Sequence, residues 1–218
     1  MALSTSEENY IKAIHDLAAL GKVTTNTLAK AVQTKASSAT DMIRRLAEKN
    51  LVNYIKYRGV SLTEEGNRVA LKTLRKHRLW EVFLVEKLGF GWDEVHNVAE
   101  QLEHIQSPKL TERLSAFLGN PEFDPHGDPI PNKDGEMPLH SDLTLAQCKI
   151  GDELILQRVK DGNPEFLQYL KQMSLNLGEK FVVKNQFDFD GSVEIERSKN
   201  GTLMLSKTVS NHLFVLKQ

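Results

Sequence analysis

The sequence predicts a mainly α protein with a small β domain: an N-terminal winged helix-turn-helix over residues 1–64, a helical domain over 65–141 and a C-terminal SH3-like barrel over 142–218. Three observations predict it. Apolar residues recur at helical spacing through the first half, broken near residues 51–62 by two short strand-like runs. A stretch rich in proline, residues 120–141, then interrupts the helical pattern. Beyond it come short apolar runs separated by Gly, Asn and Asp, the texture of an all-β unit. A chain of 218 residues is long enough for two or three compact units of this kind.

The elements follow in order. In EENYIKAIHDLAALG, residues Tyr10, Ile11, Ile14, Leu17 and Ala18 share one helical face, and Gly21 stops the helix. Thr24 or Thr25 caps a second, short helix carrying Leu28, Ala29 and Val32. SSATDMIRRLAEKNLV reads as a third, with Met42, Ile43 and Leu46 inward and Lys49-Asn50 at its end. LVNYIKY and GVSLTEEG form a hairpin joined at Arg58-Gly59. Three helices and a hairpin are the winged-helix order. Residues 63–88 form a long helix capped by Thr63 and ended by Gly89, and two further helices follow, from near Trp92 and from Pro108. Pro121, Pro125, Pro129, Pro131 and Pro138 make residues 120–141 a linker or an ordered loop. KIGDELILQRV, KFVVKNQF, SVEIERS, TLMLS and HLFVLK are the strands of the last unit, with PEFLQYLKQM as a helical insert.

Charge is unevenly spread. Residues 1–76 hold 13 Lys+Arg against 7 Asp+Glu, a net of +6, and the remainder nets -7, giving the overall -1. A basic first third suggests a polyanionic partner. Met1 is followed by no apolar run and no stretch nears the roughly 20 apolar residues needed to span a bilayer. The expectation is a cytoplasmic protein without membrane contact. One cysteine, Cys148, excludes an intramolecular disulfide; it reads as a small buried residue rather than a nucleophile.

A helix-turn-helix lays its second helix in the major groove of double-stranded DNA. Here that helix opens with Lys35, Ser37, Ser38 and Thr40, and Arg44 lies a turn further on. The hydroxyls can reach bases or phosphates, and the small side chains permit close approach. Ser37 and Ser38 are equally good helix caps. Lys56 and Arg58 put two cations at the tip of the wing.

The helical middle carries two ladders of metal-capable side chains. His77 and Glu81 stand four apart, as do His96, Glu100 and His104, with Glu103 beside that face. Imidazole nitrogens and carboxylate oxygens converging at about 2.0–2.3 Å are what a divalent metal requires. The amide carbonyl of Asn9 can complete an oxygen-rich shell. The plain alternative is a solvated polar face.

With these residues in view, SEENYIKAI, SSATDMIRRLAEKNLV, RKHRLWEVFL, VHNVAEQLEH and DPHGDPIP resemble the metal-dependent regulators typified by the diphtheria toxin repressor and the manganese transport regulator. The resemblance runs along nearly the whole chain. It implies that residues 65–141 are a helical dimerisation domain with two metal positions, in a homodimer that represses metal-uptake genes from palindromic operators when metal is bound. It implies a primary site of Asn9, Glu100, Glu103 and His104 and an ancillary site of His77, Glu81 and His96, to which Glu165 and Asp161 of the last domain are candidate additions. The family has Met or Asp where this chain has Asn9. A carboxylate at Glu100, where iron-selective members have cysteine, favours Mn²⁺, with Fe²⁺ as the alternative. In the metal-free dimer, mutually repelling carboxylates are expected to leave the DNA-reading heads free. Two other readings stay open: a metalloenzyme, such as a metal-dependent hydrolase built on the His/Glu ladders, and a winged-helix regulator that needs no metal. The first lacks a glycine-rich phosphate loop, a nucleophile motif and HExxH.

Overall fold

A computed structural model describes residues 3–55, 58–160, 163–198 and 200–218. Helix α1 (Thr5–Leu20) opens with a capping box in which Ser4 and Glu7 each satisfy the other's backbone N–H. Helix α2 (Thr25–Ala31) is capped by Thr24. Helix α3 (Ala36–Glu48) has Lys35 at its N-cap and no side-chain cap, so Ser37 and Ser38 stand exposed in its first turn rather than capping it. Strands β1 (Val52–Ile55) and β2 (Gly59–Leu62) pair antiparallel, Val52 opposite Leu62. Ile11, Ile14, Leu28, Ile43 and Leu46 are fully buried between these elements. At about 1.5–3 kcal/mol for each such side chain, they hold the three helices together.

Helix α4 (Glu64–Leu88) is capped by Thr63 and terminated by Gly89 in the left-handed conformation. It leaves the winged-helix unit at a tight joint: a Cβ on Gly66 would lie 2.0 Å from the Leu51 carbonyl oxygen. The far half of α4 packs on helices α5 (His96–Leu102) and α6 (Pro108–Phe117) through Leu79, Val82, Leu84, Val95, Ala99 and Leu114. The segment 120–142 is an ordered loop laid back along α4. Arg75 donates to the Pro131 carbonyl at 2.9 Å and Arg78 donates to that of Pro129.

The last unit is the expected SH3-like domain. Strands β3 (Glu153–Val159), β4 (Lys180–Gln186), β5 (Val193–Arg197), β6 (Gly201–Leu205) and β7 (Leu213–Lys217) form an antiparallel sheet in the order β6-β5-β4-β3-β7. Helices α7 (Pro164–Gln172) and α8 (Lys207–Ser210) help enclose a core of Leu154, Leu156, Leu170, Leu175, Ile195 and Val215. Cys148 belongs to that core; burial, with Asp152 nearby, pushes its thiol up to about 11, which leaves it unreactive at neutral pH.

Candidate metal centre and nucleic-acid interface

Helical spacing on α4 brings His77 and Glu81 to one face, and α5 lays His96 against them. His77 Nε2 is 3.0 Å from Glu81 Oε1 and 3.2 Å from His96 Nδ1. Glu81 is fully buried. Burial alone would raise its carboxyl, but His77, His96 and His126 around it hold it well below the usual carboxylate range. Neither Glu81 oxygen makes a well-formed hydrogen bond to the protein, although imidazoles lie within ion-pair distance. Such an anion, buried and ringed by imidazoles, suits a divalent cation.

A second group shares Glu81. Asp124 and His126, from the proline-rich loop, join Glu81 with donor atoms within 4.8 Å of one another, as do those of His77, Glu81 and His96. Burial, reinforced by Asp128 and Glu81, raises Asp124 well above its usual value despite Arg78 and His126. A cation there would reverse that penalty. His126 Nε2 lies 2.8 Å from the Trp92 carbonyl oxygen, to which only an N–H can bond; this turns Nδ1 toward Glu81, 3.8 Å away. The sequence reading missed this pair. Its signal was present as Asp124-Pro-His126, two donors in a stretch read only as a loop.

The third group lies just past the C-terminal end of α5 and reaches α1. His104 Nδ1 is 2.6 Å from Glu8 Oε2, and its Nε2 is 3.8 Å from Glu103 Oε1. Glu103 Oε2 is 2.5 Å from His77 Nδ1 and accepts a 2.7 Å bond from the Lys12 ammonium. Glu8 also accepts from Gln106 at 2.7 Å and lies 3.7 Å from Lys76. The expected repulsion between carboxylates is therefore absent here: Glu8 and Glu103 each have a cationic partner.

Three of the expected ligands stand apart from these groups. Asn9 is exposed, and its neighbour Glu8 is the α1 side chain that meets His104. The capping box and the inward Tyr10, Ile11 and Ile14 set the phase of α1, which turns position 9 to solvent. Glu100 is 53 % exposed and lies 3.7 Å from His96 Nε2, outside the Glu8–Glu103–His104 group. Glu165, in the first turn of α7, is exposed, and its backbone N–H donates to Asn163; it belongs to neither donor group found among the described residues. Asp161 lies outside the described residues.

The expected DNA surface is available. Lys35, Ser37, Ser38, Arg44 and Arg58 are exposed, and Arg44 is only loosely paired with Asp41 at 3.6 Å. The Thr40 hydroxyl donates to the Ala36 carbonyl within α3 at 2.8 Å and is half-buried, which makes it the least available of the set. Lys56 lies outside the described residues.

Three family models tile the chain. Residues 2–60 match the N-terminal DNA-binding domain of iron-dependent repressors, 63–132 their metal-binding and dimerisation domain, and 143–217 the FeoA domain. A manganese-dependent transcriptional repressor, solved with manganese, is 38% identical and superposes with a TM-score of 0.87 over 97% of this chain and 100% of its own. This chain belongs to the diphtheria toxin repressor family of metal-dependent regulators. Another member, ScaR with bound Zn²⁺, is 32% identical with a TM-score of 0.82 over 97% of this chain and 99% of its own. The iron-dependent repressor IdeR of Mycobacterium tuberculosis is 33% identical over 130 residues, which are 59% of this chain and 56% of IdeR. The chain thus spans little more than half the length of that curated relative. Within the family architecture, all three donor groups fall in or beside the metal-binding and dimerisation domain, with α1 reaching in from the DNA-binding domain.

Proposed function

We propose that this protein is a metal-dependent transcriptional repressor, not an enzyme, that binds palindromic operators of metal-uptake genes as a cytoplasmic homodimer when loaded with Mn²⁺, Fe²⁺ being the alternative metal. The observation that carries the reading is Glu81, fully buried and faced by His77, His96 and His126. Two metal positions per subunit are the natural count. Glu81 anchors one, with His77 and His96 or with Asp124 and His126; Glu8, Glu103 and His104 form the other. Imidazole and carboxylate without thiolate favour Mn²⁺ over thiophilic metals, and the similar repressor solved with manganese supports the same choice. Phe117, 66 % exposed on α6, and Leu88, 57 % exposed at the end of α4, offer apolar area to a second copy.

α1 is the working part. Its Glu8 meets His104 of the helical domain, while Ile11 and Ile14 are packed inside the winged-helix core. Glu8, Glu103 and His104 would hold the cation, which would supply positive charge to the two carboxylates. Glu8 would thereby tighten the hold on α1, and with α1 on the exposed first turn of α3, relative to the dimer. Two heads held roughly 34–36 Å apart match successive major grooves. The test is selection of duplexes from a random pool by the full-length protein, with MnCl₂ or with a chelator. Mn²⁺ should enrich a palindromic site. His104→Ala should lose that enrichment while remaining a folded dimer. Equal enrichment with chelator would overturn the metal dependence.

A further inference from the structure

One side chain in the third donor group is not a ligand but a cation. Lys12 follows Glu8 by one helical turn on α1, so both point to the helical domain. Its ammonium donates to Glu103 Oε2 at 2.7 Å and lies 3.3 Å from His77 Nδ1. This is not a loose surface contact. The Lys12 side chain is 14 % exposed and that of Glu103 1 %. Glu103 Oε2 is thereby satisfied twice over, by Lys12 and by His77.

A buried carboxylate in this state is a poor ligand until its present cation leaves. An ammonium and a divalent ion cannot both stay against one oxygen in a low-dielectric pocket, because like charges there repel strongly. Lys12 has a place to go: its stem is flexible and its ammonium is strongly hydrated once in water. Glu8, by contrast, keeps its contact with His104 on the same face of α1. Metal binding would therefore cost α1 its Lys12–Glu103 tether while the Glu8–His104 contact to the helical domain stays in place.

We propose that Lys12 is a built-in competitor of the metal, whose ammonium occupies Glu103 in the metal-free protein and so raises the metal concentration at which the protein responds. This rests on the metal-binding reading given above. It predicts a gain of binding from removing a residue inside the site, which a purely structural role for Lys12 would not produce.

The experiment is calorimetric titration of the full-length protein with MnCl₂ alone, without DNA, for the wild type, Lys12→Met and Lys12→Arg. Lys12→Met should bind Mn²⁺ about tenfold more tightly or better, whereas Lys12→Arg, which keeps the charge, should stay within about threefold of wild type. Should Lys12→Met not fold, Lys12→Gln retains a hydrogen-bond donor for Glu103 without the charge, and it should show the same tightening. Wild type that binds Mn²⁺ while the neutral variants bind it equally or more weakly overturns the role of Lys12 alone. Wild type that takes up no Mn²⁺ overturns the metal centre and this inference with it.

Discussion

His77 is the residue on which the donor groups converge. Burial alone would push its pKa down, but the carboxylates of Glu103, which accepts from its ring, and Glu81, 3.0 Å away, outweigh burial and raise it to about 9. The imidazolium is thus a stabilising group of the metal-free protein. A raised pKa means that its contribution is complete below the unfolded value near 6.5 and disappears as pH climbs through about 9. In chelator, the melting temperature should fall between these limits by the equivalent of a loss of about 3 kcal/mol. Thermal denaturation of wild type and His77→Gln checks this; equal slopes in the two proteins would remove His77 as the cause. His77, Glu81 and His96 were legible because a helix repeats and their spacing matches its turn. Glu8 was missed in favour of Asn9 because the motif places the two side by side, and only the helical phase decides which faces inward. Asp124 and His126 were missed although Asp124-Pro-His126 puts two donors close together, since a proline-rich loop has no period that says which way they face. Lys12 carried no signal at all: a lysine on a helix is usually solvated, and its burial follows from the packing of two domains.

At the scale of elements, the first turn of α1 is held from two sides. Glu7 and Glu8 are both buried but face different partners. Glu7 accepts from Lys49, at the C-terminal end of α3, at 2.6 Å and lies 3.9 Å from Arg45. Glu8 faces His104 and Gln106. α1 therefore joins α3 to the segment that follows α5. Glu7→Gln should weaken Mn²⁺-dependent operator binding by about 1–2 kcal/mol, the worth of a charge-assisted hydrogen bond. Mn²⁺ affinity without DNA should remain within about twofold. Fluorescence anisotropy on the selected duplex, paired with calorimetry, measures both, and unchanged operator binding would show that α3 does not depend on this grip. The helices themselves were readable from caps and spacing: Thr24, Thr63 and Gly89 stand where the sequence puts them. The cap of α3 was not, because Lys35 occupies the position with no side-chain bond and the two serines after it are spent on an exposed face.

At the scale of the whole molecule, the change of texture after residue 142 announces a separate β domain but not where that domain rests. It rests on the loop that carries Asp124 and His126, and through backbone groups that no side-chain pattern reveals. The Val159 N–H donates to the His126 carbonyl at 3.0 Å, pinning the donor residue to the edge of β3. Arg158 reaches Asp128 at 3.2 Å and Asp142 at 3.0 Å while lying over the Phe214 ring. Between these contacts Gly127 adopts a φ of 84°, and a Cβ there would lie 2.1 Å from the Gln157 carbonyl oxygen. Any side chain at 127 must therefore lift the loop from β3, with conformational strain added to the clash. Gly127→Ala should cost on the order of 1–3 kcal/mol, with the damage confined to this joint. The far-UV spectrum should be nearly unchanged, since each domain keeps its own core. Limited proteolysis should cut faster within residues 132–141, and Mn²⁺ should bind more weakly as His126 loses its anchor. A Gly127→Ala protein that resists protease like wild type would mean that the loop and the β domain are held together by something other than this contact.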